Sequence, residues 1–183
     1  MAAPAAPAAP QAAPASTPSP ASPGPSAPLG VRAMAMMYEA LLMFGVLFPF
    51  GYLYGALTQQ RHALQGRAGL QAFLFVVAGI YFVWFWSHGR QTVAQKTWRI
   101  GLQTTNGAEL SQPRALARYL LAWLWFAPAL AWLALSGQPS GGAMLAALAL
   151  GMLAYGALAL VDADRQFLHD RLCRTRLVRL PRA

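Results

Sequence analysis

An all-α, polytopic membrane protein is the fold class this sequence predicts: a bundle of four transmembrane helices, with a short cytoplasmic-side amphipathic hairpin between helices two and three. Three observations predict it. Of 183 residues, 57% are hydrophobic and 10% are charged, against about 25% charged in a soluble domain. The apolar residues gather in four runs, each able to cross a hydrocarbon core of about 30 Å at about 1.5 Å per residue. The basic residues fall almost entirely outside those runs, and unequally on the two sides.

Residues 1–30 are Ala, Pro, Ser and Gly with almost nothing else. Such a segment has too little apolar surface to fold, so a disordered, extended tail is expected, and no charged start with a following apolar run marks it as a signal peptide. Residues 31–183 form the membrane domain. Its first run, Met34 to Leu57, predicts a helix with a kink at Pro49, and Gly51 and Gly55 offer a GxxxG face for close packing, within the chain before dimerisation. The second, Leu70 to Trp86, predicts a helix over 70–87 that ends among Tyr81, Trp84 and Trp86, rings suited to the headgroup level. The third, Leu116 to Leu135, predicts a helix over 114–135 with Ser111 as N-cap and Pro113 in the first turn. The fourth, Ala143 to Val161, is rich in Ala and Gly and predicts a tightly packed helix, followed by a basic tail over 162–183.

Orientation follows from charge. Twelve basic residues (Arg32; Arg90, Lys96, Arg99, Arg114 and Arg118; and six from Arg165 to Arg182) share one side, and Arg61 and Arg67 lie on the other. The positive-inside rule then places both termini and the middle loop in the cytoplasm, in a bacterial inner membrane. In that loop, Trp98, Ile100 and Leu102 alternate with Arg99, Gly101 and Gln103 ahead of Asn106-Gly107, the pattern of a hairpin resting on the inner membrane surface. The net charge of +9 suits anionic lipid headgroups. A nucleic-acid binder would carry its basic residues on a folded polar face, so no nucleic-acid partner is expected. The single cysteine, Cys173, allows no intrachain disulfide; its basic neighbours Arg171, Arg174 and Arg176 act to lower its pKa, but a lone tail cysteine is usually incidental.

Three segments resemble the RDD family of small bacterial membrane proteins, named for one Arg and two Asp positions. Arg32 and Glu39, seven residues apart, stand where the family has its Arg and first Asp. GRQTVAQKTWRIGLQTTNGAELSQPRALARYLL is similar to the family's middle-loop pattern, and DADRQFLHDRLCRTRLV to its closing segment, through His169, Asp170 and Thr175. Glu39 departs by one methylene from the family Asp, and Ala94-Gln95-Lys96 stands for the usual Gly-Lys. The resemblance spans residues 31–180 and implies a family associated with transport, without fixing a ligand.

Glu39 is the one carboxylate inside an apolar run, and an intramembrane carboxylate points to function unless it is paired. Its candidate partners are Arg32, about 10 Å along the same helix, and Arg118, one turn into helix three. A Glu39–Arg118 pair would pin two helices; an unpaired Glu39 is a proton or cation site. Asp170 is expected to dock the tail by pairing with Arg99 or Arg114. His169-Asp170 resembles a metal-binding pair, but no further ligand with suitable spacing accompanies it, His62 and His88 lying elsewhere, so no metal or other cofactor is expected. Ser87-His88 lacks a nucleophile elbow and there is no phosphate-binding loop, so no catalytic residues and no enzyme are expected. Two functions fit these residues: a small transporter or transporter subunit moving a proton, cation or small solute past Glu39, as a homo-oligomer or with another membrane protein; or a non-transporting assembly partner that binds anionic lipid.

Overall fold

The computed structural model describes residues 24–59, 66–136, 140–162 and 165–181. Arg61, His62, Asp164, Arg182 and residues 1–23 of the N-terminal segment lie outside the described residues. Four helices are long and apolar enough to cross a membrane: α1 (Leu29–Leu57), α2 (Arg67–Trp86), a third span over Gln112–Ser136, and α6 (Gly141–Val161). Only 6–17% of the most apolar stretch of each is buried within the chain. Leu41, Phe44, Leu53, Leu145 and Leu153 accordingly stand exposed, which is costly in water and free in lipid.

The spans begin two to five residues earlier than their apolar runs predict, because each gains a polar or small first turn. Pro49 lies inside α1. The third span is divided into α4 (Gln112–Ala122), a 3₁₀ turn (Trp123–Phe126) and α5 (Ala127–Ser136). Pro128 explains the division. It has no N–H for the carbonyl of Leu124, and the Ala127 N–H bonds that carbonyl instead, tightening the turn. Ser111 holds the N-cap position with proline in the first turn, but its side chain makes no capping hydrogen bond. Gly51 packs loosely on Leu74, and Gly55 has nothing within 4 Å. Gly79 is the close approach: a Cβ there would stand 3.1 Å from the ring of Tyr119, whose hydroxyl donates to the Phe75 carbonyl at 2.7 Å and locks α2 to α4.

The expected local hairpin in the middle loop is replaced by a longer-range arrangement. Residues 93–97 form a short helix, α3, and Ile100–Thr104 form β1. The chain does turn at Asn106-Gly107, where Gly107 N–H bonds Thr104 O. The segment after the turn builds no strand. β1 pairs antiparallel with β2 (Thr175–Arg179) of the tail, Leu102 facing Leu177. The tail competes successfully because Leu177 and Val178 bring buried apolar surface to the pair, whereas Ala108 and Glu109 bring none. The tail first forms α7 (Leu168–Leu172). Residues 24–28, expected within the disordered tail, lie on the far edge of β2 through Ala27 N–H to Leu177 O and Arg179 N–H to Pro25 O, both 2.9 Å. The best-packed core sits at this end of the bundle, where Ala27, Ala35, Trp86, Ile100, Leu102 and Ala115 meet.

Candidate functional site

Two charge sites form where the helix ends meet the sheet. The first belongs to Glu39, nearly three turns into α1 and half-buried. One carboxylate oxygen accepts from the Tyr81 hydroxyl of α2 at 2.9 Å, and the other accepts from Thr92 Oγ1. Thr92 is the N-cap of α3, and its hydroxyl oxygen also accepts from the Gln95 N–H, while Gln95 Oε1 accepts from the Thr92 N–H. This capping box fixes the hydroxyl that Glu39 uses. Glu39 meets neither expected arginine. Among the described residues it has no ion-pair partner, since the three pairs present are Arg118–Asp170, His169–Asp170 and Arg171–Asp162.

The second site holds Arg118. Its Nε donates to Asp170 Oδ1 at 2.8 Å, and its terminal nitrogen stands 2.8 Å from the same oxygen. The guanidinium lies over the Trp86 ring, 4.2 Å from its centroid. Thr175 Oγ1 adds a third bond to Asp170 Oδ1, at 3.2 Å, and Oδ2 is buried without a partner. Asp170 of the tail therefore pairs with Arg118 of the third span rather than with the expected Arg99 or Arg114. Arg32, 1% exposed, ties the start of α1 to the tail in a similar way. It donates to Ala27 O at 2.8 Å, Arg165 O at 2.9 Å and Gln166 Oε1 at 3.4 Å.

His169 sits between α6 and the Arg118 guanidinium. Its Nδ1 is 3.0 Å from the Tyr155 hydroxyl of α6, and Arg118 approaches Nε2 at 3.4 Å. A guanidinium donor at Nε2 requires a bare nitrogen there, which places the ring proton on Nδ1. Burial pushes His169 down to about 4 from its ordinary 6.5, with Arg118 adding and Asp170 opposing. It is neutral at pH 7. Burial acts to raise the Asp170 carboxyl, yet the charge of Arg118 with its hydrogen bond, and that of Arg32, hold it below its ordinary 3.8. Burial pushes the Cys173 thiol up, against the charge of Arg118, opposite to the direction expected from its basic neighbours.

These directions give a pH dependence. Below pH 6.5 the unfolded chain binds a proton at His169 that the folded chain refuses, so stability falls as pH drops from 6.5 towards 4. The loss by pH 5 is about 2 kcal/mol. Asp170 adds nothing in that window: its contribution is complete above about 3.8 and lost only as pH falls through its lower folded value. Melting curves between pH 7.5 and 5 are expected to show the decline in the wild type and a flatter profile in His169→Gln.

Tyr81 and Thr92 were not apparent as Glu39 partners. The Thr92-x-x-Gln95 capping box was the available signal for α3. Among the described residues no group of three His, Cys, Asp or Glu is placed to hold a metal ion. A family model described as the RDD family matches residues 26–174, a range that includes Arg32, Glu39, Arg118, His169 and Asp170. Neither a curated protein nor a solved structure matches the chain.

Proposed function

The chain belongs to the RDD family, and from that premise we propose that it moves a proton or a monovalent cation past Glu39, as an oligomer or as a subunit of a larger transporter. One observation carries the reading: the Glu39 carboxylate, in the first span, is held by two neutral hydroxyls and, among the described residues, by no cationic side chain. An ionised carboxylate at such a place is strongly disfavoured without a counter-charge. A proton or a small cation supplies that counter-charge, and the two hydroxyls orient the oxygens without competing for the positive charge. Four spans enclose little room for a path, which favours assembly with further helices. The charge asymmetry supports a bacterial inner-membrane, multi-pass placement with both termini cytoplasmic. Arg99, Arg114 and Arg174, exposed at the basic end, then face anionic headgroups.

The reading requires a small molecule to reach Glu39 in the folded protein. A membrane-permeant carbodiimide is expected to form an adduct at Glu39, detected by peptide mass, with labelling slowed by the cation that the site takes. Labelling of Glu39 only after unfolding would contradict the reading.

A further inference from the structure

A repeat runs through the chain at a spacing of 75 residues. α3 begins at 93 and α7 at 168; β1 covers 100–104 and β2 covers 175–179. α2 and α6 end at 86 and 161. Between each short helix and its strand stands an arginine in the left-handed region, Arg99 and Arg174, both with φ 51°, a conformation uncommon outside glycine. The backbone bonds recur with them. Lys96 N–H to Thr92 O matches Arg171 N–H to Phe167 O, and Arg90 N–H to Ser87 O matches Arg165 N–H to Asp162 O. Two further bonds are reciprocal across the halves: Leu180 N–H to Arg99 O at 2.9 Å, and Thr105 N–H to Arg174 O at 3.0 Å. In the ladder, Leu102 faces Leu177, its own equivalent, and Thr104 faces Thr175 as Ile100 faces Arg179. That is the register of a twofold axis through the leucine pair. The sequence keeps a faint echo, Arg90-Gln91, Arg99 and Leu102 recurring as Arg165-Gln166, Arg174 and Leu177.

The first span of each half agrees. Glu39 lies ten residues before Pro49, and α1 ends eight residues after that proline; Arg118 lies ten residues before Pro128, and α5 ends eight residues after it. The loop joining the two spans is five residues shorter in the second half. Each of these charged side chains reaches the start of its own half's short helix, Glu39 at the N-cap Thr92 and Arg118 at Asp170 in the first turn. The position equivalent to Asp170 is Gln95, the third residue of α3, also buried.

We propose that the chain is built as two copies of one two-span unit, residues 29–104 and 112–179, whose short helices and strands are related by this axis, with Glu39 and Arg118 as the two copies of one charge position. Two spans per unit bring both copies into the membrane in the same direction, so the axis runs along the membrane normal. The second copy neutralises its charge internally, with Asp170 on the short helix. The first copy offers a neutral Gln95 instead, so its carboxylate is left for a charge from outside; this last step rests on the cation reading above.

The pair is therefore transferable. In full-length protein purified in detergent, Glu39→Arg is expected to lower the melting temperature by about 10 °C, the scale of an unpaired buried charge. Adding Gln95→Asp rebuilds the second copy's ion pair in the first and is expected to recover at least half of that loss, whereas Gln91→Asp is expected to recover none. A Glu39→Arg/Gln95→Asp protein no more stable than Glu39→Arg overturns the proposal. Should Glu39→Arg fail to fold, oxidative cross-linking in a Cys173→Ala background decides: the cysteine pairs 99/180 and 105/174 are expected to close with equal yield, and closure of one alone overturns the twofold relation. The rescued variant is also expected to carry no flux. Flux that survives there would remove the cation reading and leave the two-copy architecture standing.

Discussion

Asp170→Ala is expected to cost about 3–5 kcal/mol, a fall in melting temperature of roughly 10 °C, because it strands the Arg118 guanidinium in a buried site. Asp170 is fully buried and Arg118 is 5% exposed. The attraction between them offsets two desolvation costs, and removing one partner leaves the other cost without its offset. Arg118→Met with Asp170→Leu removes both charges together and is expected to be much closer to the wild type, since apolar groups of similar size incur no such penalty. The comparison separates the ion pair's own worth from the penalty of a stranded charge. The damage should also spread to the middle loop. Asp170 holds α7 and, through Thr175, the start of β2, and β2 is the ladder partner of β1. Limited proteolysis is expected to reach residues 98–110 faster in Asp170→Ala than in the wild type. Unchanged protection would mean that the sheet holds the tail without the ion pair.

The four spans were legible because run length and hydropathy act locally, and a helix of about 20 apolar residues has no alternative in lipid. Their exact ends were less so. The first turns of α1 and α4 contain Gly30, Arg32, Gln112 and Arg114, residues that a hydropathy run excludes but that the surrounding sheet and tail accept. Glu39 stood out as the single carboxylate in an apolar run, and Asp170 as a docking residue, from charge and position alone. Their partners did not. Counting turns set Arg32 about 10 Å along the helix from Glu39 and Arg118 at a similar depth to it, but depth does not fix the face, and Arg118 was already engaged by Asp170. Tyr81 and Thr92 carry no charge to draw attention, and Thr92 reaches Glu39 only because a five-residue helix places it there. The β1–β2 pairing joins segments about 75 residues apart, and alternation within β1 says that a partner exists without saying which. The spacing that relates the two halves was present in the sequence, with four identities among some twenty residues too sparse to stand out without the backbone.

On the proposed reading, the two charge sites separate stability from function. Glu39→Gln keeps an amide oxygen to accept from Tyr81 or Thr92, so its effect on stability is expected to stay within about 1 kcal/mol. It removes the charge. A contact to an ionised group is worth up to about 3 kcal/mol, and each 1.4 kcal/mol is a factor of ten, so flux that depends on this carboxylate is expected to fall about a hundredfold. The measurement that tests this most directly is proton and cation flux in proteoliposomes under an imposed pH or sodium gradient, with wild type and Glu39→Gln reconstituted at equal, verified amounts of folded protein. Flux in the wild type that drops to the level of empty liposomes in Glu39→Gln is the predicted result. Equal flux in the two proteins, or none from well-folded wild type under either gradient, would contradict it, and the second outcome would point instead to a bundle that serves as the assembly partner of another membrane protein.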